Sequence, residues 1–445
     1  MHDVQYREIC EKKFKNPNFL PFLITIIFFI TVSYISFFHH LYFFERDGIF
    51  YYFVGKEILS GNTENIAIPG SSIGGPILHA YFGSLIDEPF LAGKLISIFG
   101  GTGIILLSFY ITKNFFERKI AILTQILFAI NAKIIFLSVL VLNEISPLFF
   151  IFLSLYFATK KNRTIPILIC VGIFLGISFW FRFQSGIVLI SFLIFLLIFE
   201  KEKILKLKNT SITLISFVLT ALPVLIFNYF NFGTFLTNKT NMYLFYHSKF
   251  QNEIWHEQMR SIFDQGLLSG ISIDPILFFK NYLYNLFFHN PNALFKFSID
   301  LFDSLSIIPL LPFLGMIPVF GGFLYLLKVR FSKRLVLIIL FLEIISFMII
   351  LFFGNFEYHF FLPIIIPFIV LGIYNIKKIP ENFIFLLLFS LVFFLVVSII
   401  PVYRSYQLLP MWIIIPTLSS VFLIKGIPII QIKISELFLS RKIKK

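Results

Sequence analysis

Long apolar blocks alternate along the chain with short polar breaks, most of them basic. FLPFLITIIFFITVSYISFF (19–38) and ENFIFLLLFSLVFFLVVSII (381–400) each supply the roughly 20 residues that a helix needs to cross a bilayer core. In hydrocarbon every backbone group must find its partner inside its own segment, so such blocks are expected to be helices. The alternation predicts about 12 spans, near 19–42, 90–112, 119–139, 143–158, 164–181, 184–200, 210–230, 301–327, 335–353, 359–376, 382–400 and 408–425. The expected fold is an all-α polytopic membrane protein forming one membrane domain over residues 1–445.

Two segments are too long and too polar to be tight connections. The first, 43–89, begins FFERDGIFYYFVGKEILSGN. Its Ile49, Tyr52, Phe53, the Lys56 stem and Ile58/Leu59 approximate a helical stripe, which predicts an amphipathic helix lying in the membrane interface. The turn NIAIPGSSIGGP follows, then a second short helix about ILHAYFGSLI. The second long segment, 231–300, carries Trp255, His247, His256 and Asp264, with helical stretches near 250–265 and 276–288. The C-terminal helices occupy 301–445. The two halves show no internal repeat, which weighs against a transporter built from inverted repeats.

Composition changes this picture little, and charge sharpens it. The chain is 58% hydrophobic and carries a formal charge of +14. The excess Lys and Arg gather in alternate loops: the N-terminal arm, TKNFFERK, ATKKNR, EKEKILKLKN, KVRFSKR, NIKK and the tail ending RKIKK. This is the positive-inside pattern. It places both termini in the cytoplasm and both long segments outside, and it removes any need for a nucleic-acid partner. The 64 Phe residues are expected to be mostly lipid-facing bulk, their apolar faces being core or lipid contact. Cys10 and Cys170, in an arm and a membrane helix, imply no disulfide framework. The first apolar block is too long for a signal-peptide core and is expected to persist as the first span.

Candidate chemistry lies at the outer edge. In FFERDGIFYY, Asp47 follows the first span and precedes Gly48, which permits a tight backbone approach. Held at the start of an interfacial helix, its carboxylate can serve as a general base towards a hydroxyl. Arg46 is a candidate phosphate or headgroup contact, and Glu45 a solvated neighbour. Arg182 ends an otherwise apolar helix, where an unpaired charge is costly. Glu144 stands at the outer end of the fourth span, able to position an acceptor or to pair with Arg182. Arg404, in PVYRSYQ, is flanked by tyrosines that also fit an aromatic belt. Lys133 is expected to snorkel, and Glu343 in FLEIISF is the most deeply placed acid by hydropathy. The outer histidines (His39, His40, His79, His247, His256, His289) show no recognised metal-ligand spacing with Asp87 or Glu88, so no metal site is assigned. Neither a P-loop nor a dinucleotide fingerprint is present, which disfavours a nucleotide-sugar donor.

These residues fall in an order that resembles the multispanning glycosyltransferases using lipid-phosphate-linked sugars, the dolichyl-phosphate-mannose protein mannosyltransferases and bacterial aminoarabinose transferases. RDG matches the family's acidic position after the first span, with Gly48 in place of a second acid. GGPILHAYFGSLID matches its Gly- and Pro-containing turn and helix, and Lys94 stands where Arg is usual. SVLVLNEISPLFF carries the second acid, Glu144, and GIFLGISFWFRFQSGI resembles the segment whose Gly-rich helix ends in a cation, here Arg182. NFEYHFFLPIIIPFIVLG resembles the late motif, with Tyr358 and His359 where Arg-Tyr is common and Pro363 and Pro367 after them.

The resemblance implies a GT-C-like bundle with an extracytoplasmic active site. It further implies Asp47 and Glu144 as catalytic acids, and Arg182, Lys94, Arg404 and His359 as contacts to the donor phosphate. A polyprenyl-phosphate sugar would be the donor, and a protein, lipid or glycan hydroxyl the acceptor. No cofactor is required, and a divalent metal has no support in the residue pattern. Two other readings stand beside it. A transporter or lipid-carrier flippase would use Glu343, Lys133 and Arg182 as coupling groups, and a non-catalytic subunit of a glycan assembly complex would tolerate loss of Asp47 and Glu144.

Overall fold

The computed structural model describes residues 19–38, 46–62, 73–233, 235–236, 248–262, 267–290, 311–327, 379–399, 405–429 and 431–432, with single positions 337, 341, 344 and 348. Among them every regular element is helical. Four helices, Phe19–Phe38, Pro89–Lys113, Lys203–Asn231 and Leu408–Ile429, are long and apolar enough to cross a membrane, and several shorter apolar helices accompany them. The protein is a multi-pass membrane protein. The expected spans at 335–353 and 359–376 lie outside the described residues, apart from the four single positions.

The chain divides into two compact units. The first, Met1–Ile66, Ser72–Gly186 and Lys208–Val224, begins with α1 (Phe19–Phe38). Its buried residues, Pro21, Thr25, Phe28, Val32 and Ser36, recur every three or four positions and form one inward stripe. Two helices follow in the first long polar segment, α2 (Arg46–Leu59) and α3 (Gly74–Ile86), where the amphipathic pattern places them. Asp87, in the left-handed conformation, ends α3. Pro89 then opens α4 (Pro89–Lys113), since its fixed φ suits a first helical position and it has no N–H to leave unpaired.

α4 is the central helix of this unit and packs against α1, α3, α5, α6 and α7. Its small residues Ala92, Gly93, Ser97 and Gly101 are buried, allowing neighbouring backbones to come close. The expected single span 119–139 is two helices, α5 (Arg118–Ala129) and α6 (Ala132–Val139), bent by 58°. Hydropathy does not register the break. Asn131 makes it by accepting hydrogen bonds on Oδ1 from the N–H groups of Lys133 and Ile134, so its side chain starts a new helix in a new direction.

α7 (Ile145–Ala158) and α8 (Ile165–Phe181) form an antiparallel pair, pinned by Ser178 donating to the carbonyl of Pro147 at 3.0 Å. The helix expected at 210–230 starts earlier, as α10 (Lys203–Phe232) after α9 (Ser185–Phe199). Lys and Glu are good helix formers, and part of the basic stretch EKEKILKLKN thus belongs to the helix rather than to a loop. Trp180 Nε1 donates to the carbonyl of Thr220 on α10 at 2.7 Å, fixing the end of α8.

The second unit, Ala67–Ser71, Ile187–Leu207 and Leu225–Lys445, includes α11 (Glu253–Ser261), α12 (Leu267–Ile273), α13 (Pro275–Tyr284), α14 (Leu311–Leu327), α15 (Glu381–Val397) and α16 (Ile414–Val421). Trp255 and Met259 on α11 form a small core with Ile273, Leu277 and Phe278. Phe192 and Phe195 pack their rings on Phe385 at 5.2 and 5.4 Å.

Candidate functional site

The candidate site is built around a segment that is not helical. Residues 140–144 join α6 to α7 without regular structure, yet Leu140, Val141, Leu142, Asn143 and Glu144 are all buried. Irregular backbone within a membrane protein persists only where other protein elements enclose it or it lines a cavity. Here three helices enclose it. Gly48 of α2 and Gly93 of α4 both lie against Val141, and any side chain at either position would overlap it. Gly75 of α3 lies in the same way against the Asn143 amide. The hydroxyl of Ser36, near the end of α1, donates to the carbonyl of Val139 at 3.0 Å and so ties down the entry to the segment.

At the far end of this segment stands Glu144, whose side chain is 8% exposed, and it meets Arg182, 28% exposed, at 2.5 Å between Oε1 and Nη2. The two are 38 residues apart in sequence, and the α7–α8 hairpin brings them together. Glu144 precedes the first turn of α7 and Arg182 follows the last turn of α8. An acid at a helix N-terminus and a base at a C-terminus are each favoured by the local backbone dipoles. The pair therefore joins two ends that already suit its charges. A partly desolvated pair of this kind adds little net stability, but removing one member strands the other.

Three polar side chains in and around the 140–144 segment hold buried atoms without a hydrogen-bond partner: Glu144 Oε2, Asn143 Oδ1, and both ring nitrogens of His79. Each such atom costs about 1–3 kcal/mol relative to a satisfied one, so their grouping is informative. Asn143 does spend its Nδ2, donating to the carbonyl of Phe181 at 3.4 Å. His79 is 1% exposed, in ring contact with Tyr51 of α2 at 6.0 Å and packed beside Gly93. Burial lowers its pKa to about 4, because desolvation penalises the imidazolium. At neutral pH it is an uncharged donor–acceptor.

The remaining expected site residues divide. Lys94 is buried and donates from Nζ to the carbonyl of Ser36 at 2.6 Å, with its ammonium 5.1 Å from the Phe90 ring centre. It links α1 to α4 immediately after Gly93. Asp47 lies in the first turn of α2, next to Gly48 and hence near Val141 by its backbone, while its side chain lies outside the described residues. Arg404, His359 and Glu343 also lie outside them. Lys133 is half-buried in the first turn of α6. Among the described residues no three His, Cys, Asp or Glu side chains gather closely enough to hold a metal ion. Sequence reasoning passed over Asn143, although NE closing the apolar run SVLVL was a visible signal, and it noted His79 only as one of several histidines.

Residues 72–227 match the family model described as dolichyl-phosphate-mannose-protein mannosyltransferase. That interval runs from the start of α3 nearly to the end of α10 and contains His79, Lys94, Asn143, Glu144 and Arg182. The resemblance read from the motifs is borne out there. Among curated proteins none matches the chain. Of solved structures, a protein O-mannosyltransferase complex of S. cerevisiae bound to the sugar donor is similar at 15% identity and a TM-score of 0.37, covering 48% of this chain. The chain spans 34% of the length of that relative. ArnT from Cupriavidus metallidurans, in the apo state, is similar at 11% identity and a TM-score of 0.37, with 89% of this chain and 76% of that one covered.

Proposed function

We propose that this membrane protein is a glycosyltransferase of the mannosyltransferase-like class that moves a sugar from a polyprenyl-phosphate donor to an acceptor hydroxyl on the extracytoplasmic side. The observation that carries the reading is the Glu144–Arg182 pair at the end of the α7–α8 hairpin, inside the family-matched interval. α7 has 14 residues and rises about 21 Å, less than the ~30 Å thickness of the hydrocarbon core. With the basic loop at Lys160, Lys161 and Arg163 held at the cytoplasmic surface, the pair is recessed below the opposite headgroups. A charged pair at that depth marks a functional site, and a lipid-borne substrate can reach it laterally.

In this reading Arg182 faces the donor phosphate, for which a guanidinium is suited by its planar array of donors, and Glu144 orients it. Asp47 takes the proton of the acceptor hydroxyl. The acceptor oxygen attacks the anomeric carbon, the bond from that carbon to the phosphate oxygen breaks, and the lipid phosphate leaves, with inversion of configuration. Lys94, Arg404 and His359 are further donor-phosphate candidates. The chemistry asks for no cofactor. Both termini are cytoplasmic by the distribution of Lys and Arg.

The test is release of lipid phosphate by purified protein supplied with a panel of polyprenyl-phosphate sugars. Asp47→Asn is expected to abolish release while leaving insertion and thermal unfolding unchanged. Full release by that variant removes Asp47 as the base. A wild-type protein that moves the lipid across vesicles without cleaving it makes the carrier reading correct instead.

A further inference from the structure

The buried polar atoms in and around the 140–144 segment have a composition that is itself selective. A neutral imidazole at His79 offers one donor and one acceptor, while Asn143 Oδ1 and an ionised Glu144 Oε2 offer acceptors only. The set therefore holds one donor against three acceptors. A phosphate oxygen, which only accepts, would meet a single donor and the charge of Glu144. Hydroxyl groups, which donate and accept, satisfy every member. Position adds to this. Gly75, which lies against Asn143, and His79 are four residues apart on α3 and share one face of the helix. His79 and Val141 both lie against Gly93, so α3 and α4 hold the imidazole close to the 140–144 segment.

We propose that His79, Asn143 and Glu144 form a hydroxyl-recognition subsite for the sugar ring of the donor, placed beside the Arg182 end that takes its phosphate. This inference rests on the glycosyltransferase reading. It divides the site along one carboxylate: Oε1 holds the guanidinium, and Oε2 receives a sugar hydroxyl. His79 and Asn143 then read the ring, whereas Arg182 reads only the charge of the lipid carrier. The glycines opposite them exclude side chains and keep these polar groups against the segment.

Binding of two probes by the full-length protein separates the parts: a polyprenyl-phosphate monosaccharide, and the same polyprenyl phosphate without sugar. His79→Ala and Asn143→Ala are each expected to weaken the sugar-bearing lipid about tenfold and to leave the sugar-free lipid unchanged. Arg182→Ala is expected to weaken both. His79→Gln, which restores a neutral donor and acceptor, should recover part of the loss, and it distinguishes recognition from a folding defect that would lower binding of both lipids. Variants at His79 and Asn143 that spare the sugar-bearing lipid, or weaken both lipids equally, overturn the subsite while the glycosyltransferase reading survives. A wild-type protein that binds neither lipid overturns that reading and the subsite together.

Discussion

Glu144 and Arg182 are single residues at the ends of two apolar helices, and each alone is an electrostatic cost. Together they offset it, and their worth lies in placement rather than stability. Glu144→Ala leaves the partly buried guanidinium without its carboxylate and is expected to cost about 2–4 kcal/mol, read as a lower unfolding temperature in detergent. Adding Arg182→Met should restore most of that stability without restoring sugar transfer. Recovered activity in the double variant would show the pair to be purely structural. The pairing itself was open to sequence reasoning, since both charges ended apolar runs on the same predicted side. The role of Asn143 and His79 was not. Their distinguishing feature is a buried polar atom left without a partner, Oδ1 of Asn143 and both ring nitrogens of His79, and that exists only once α3 and the 140–144 segment are packed.

Among elements, the break between α5 and α6 shows what hydropathy misses. Every residue in KIAILTQILFAINAKIIFLSV but a few is apolar, so a window sees one span. Asn131 is a single polar residue whose side chain bonds two backbone N–H groups, and this local event outweighs the mean hydropathy of its neighbours. The bend sends α6 towards the end of α1 and delivers the 140–144 segment to the faces of α2, α3 and α4. Asn131→Ala is expected to lower stability by about 1 kcal/mol and to reduce transfer more than stability alone explains. Asn131→Asp, which keeps a capping oxygen, should preserve both, and thermal unfolding together with the lipid-phosphate assay checks the comparison.

For the whole molecule, the distribution of basic loops makes a directional prediction. With Cys10 and Cys170 replaced, a single cysteine at Ser60 or Glu57, near the end of α2, is expected to react with a membrane-impermeant reagent from outside intact cells. One at Lys161, between α7 and α8, is expected to react only after permeabilisation. The opposite result reverses the topology and moves the 140–144 segment to the cytoplasmic side.

The amino-acid sequence by itself determined that the chain is helical and membrane-spanning, because hydrocarbon leaves the backbone few alternatives. It also determined the order of the chemical groups along the chain and the two helices of the first polar segment, since these follow from composition and local periodicity. Tertiary structure decided that Glu144 and Arg182, a pairing the sequence left open, share a bond across 38 residues, and that Lys94 turns to the carbonyl of Ser36. Tertiary structure likewise brought His79 to the 140–144 segment that carries Asn143 and ends in Glu144. These are matters of which buried polar groups find partners, and that depends on packing between segments far apart in sequence.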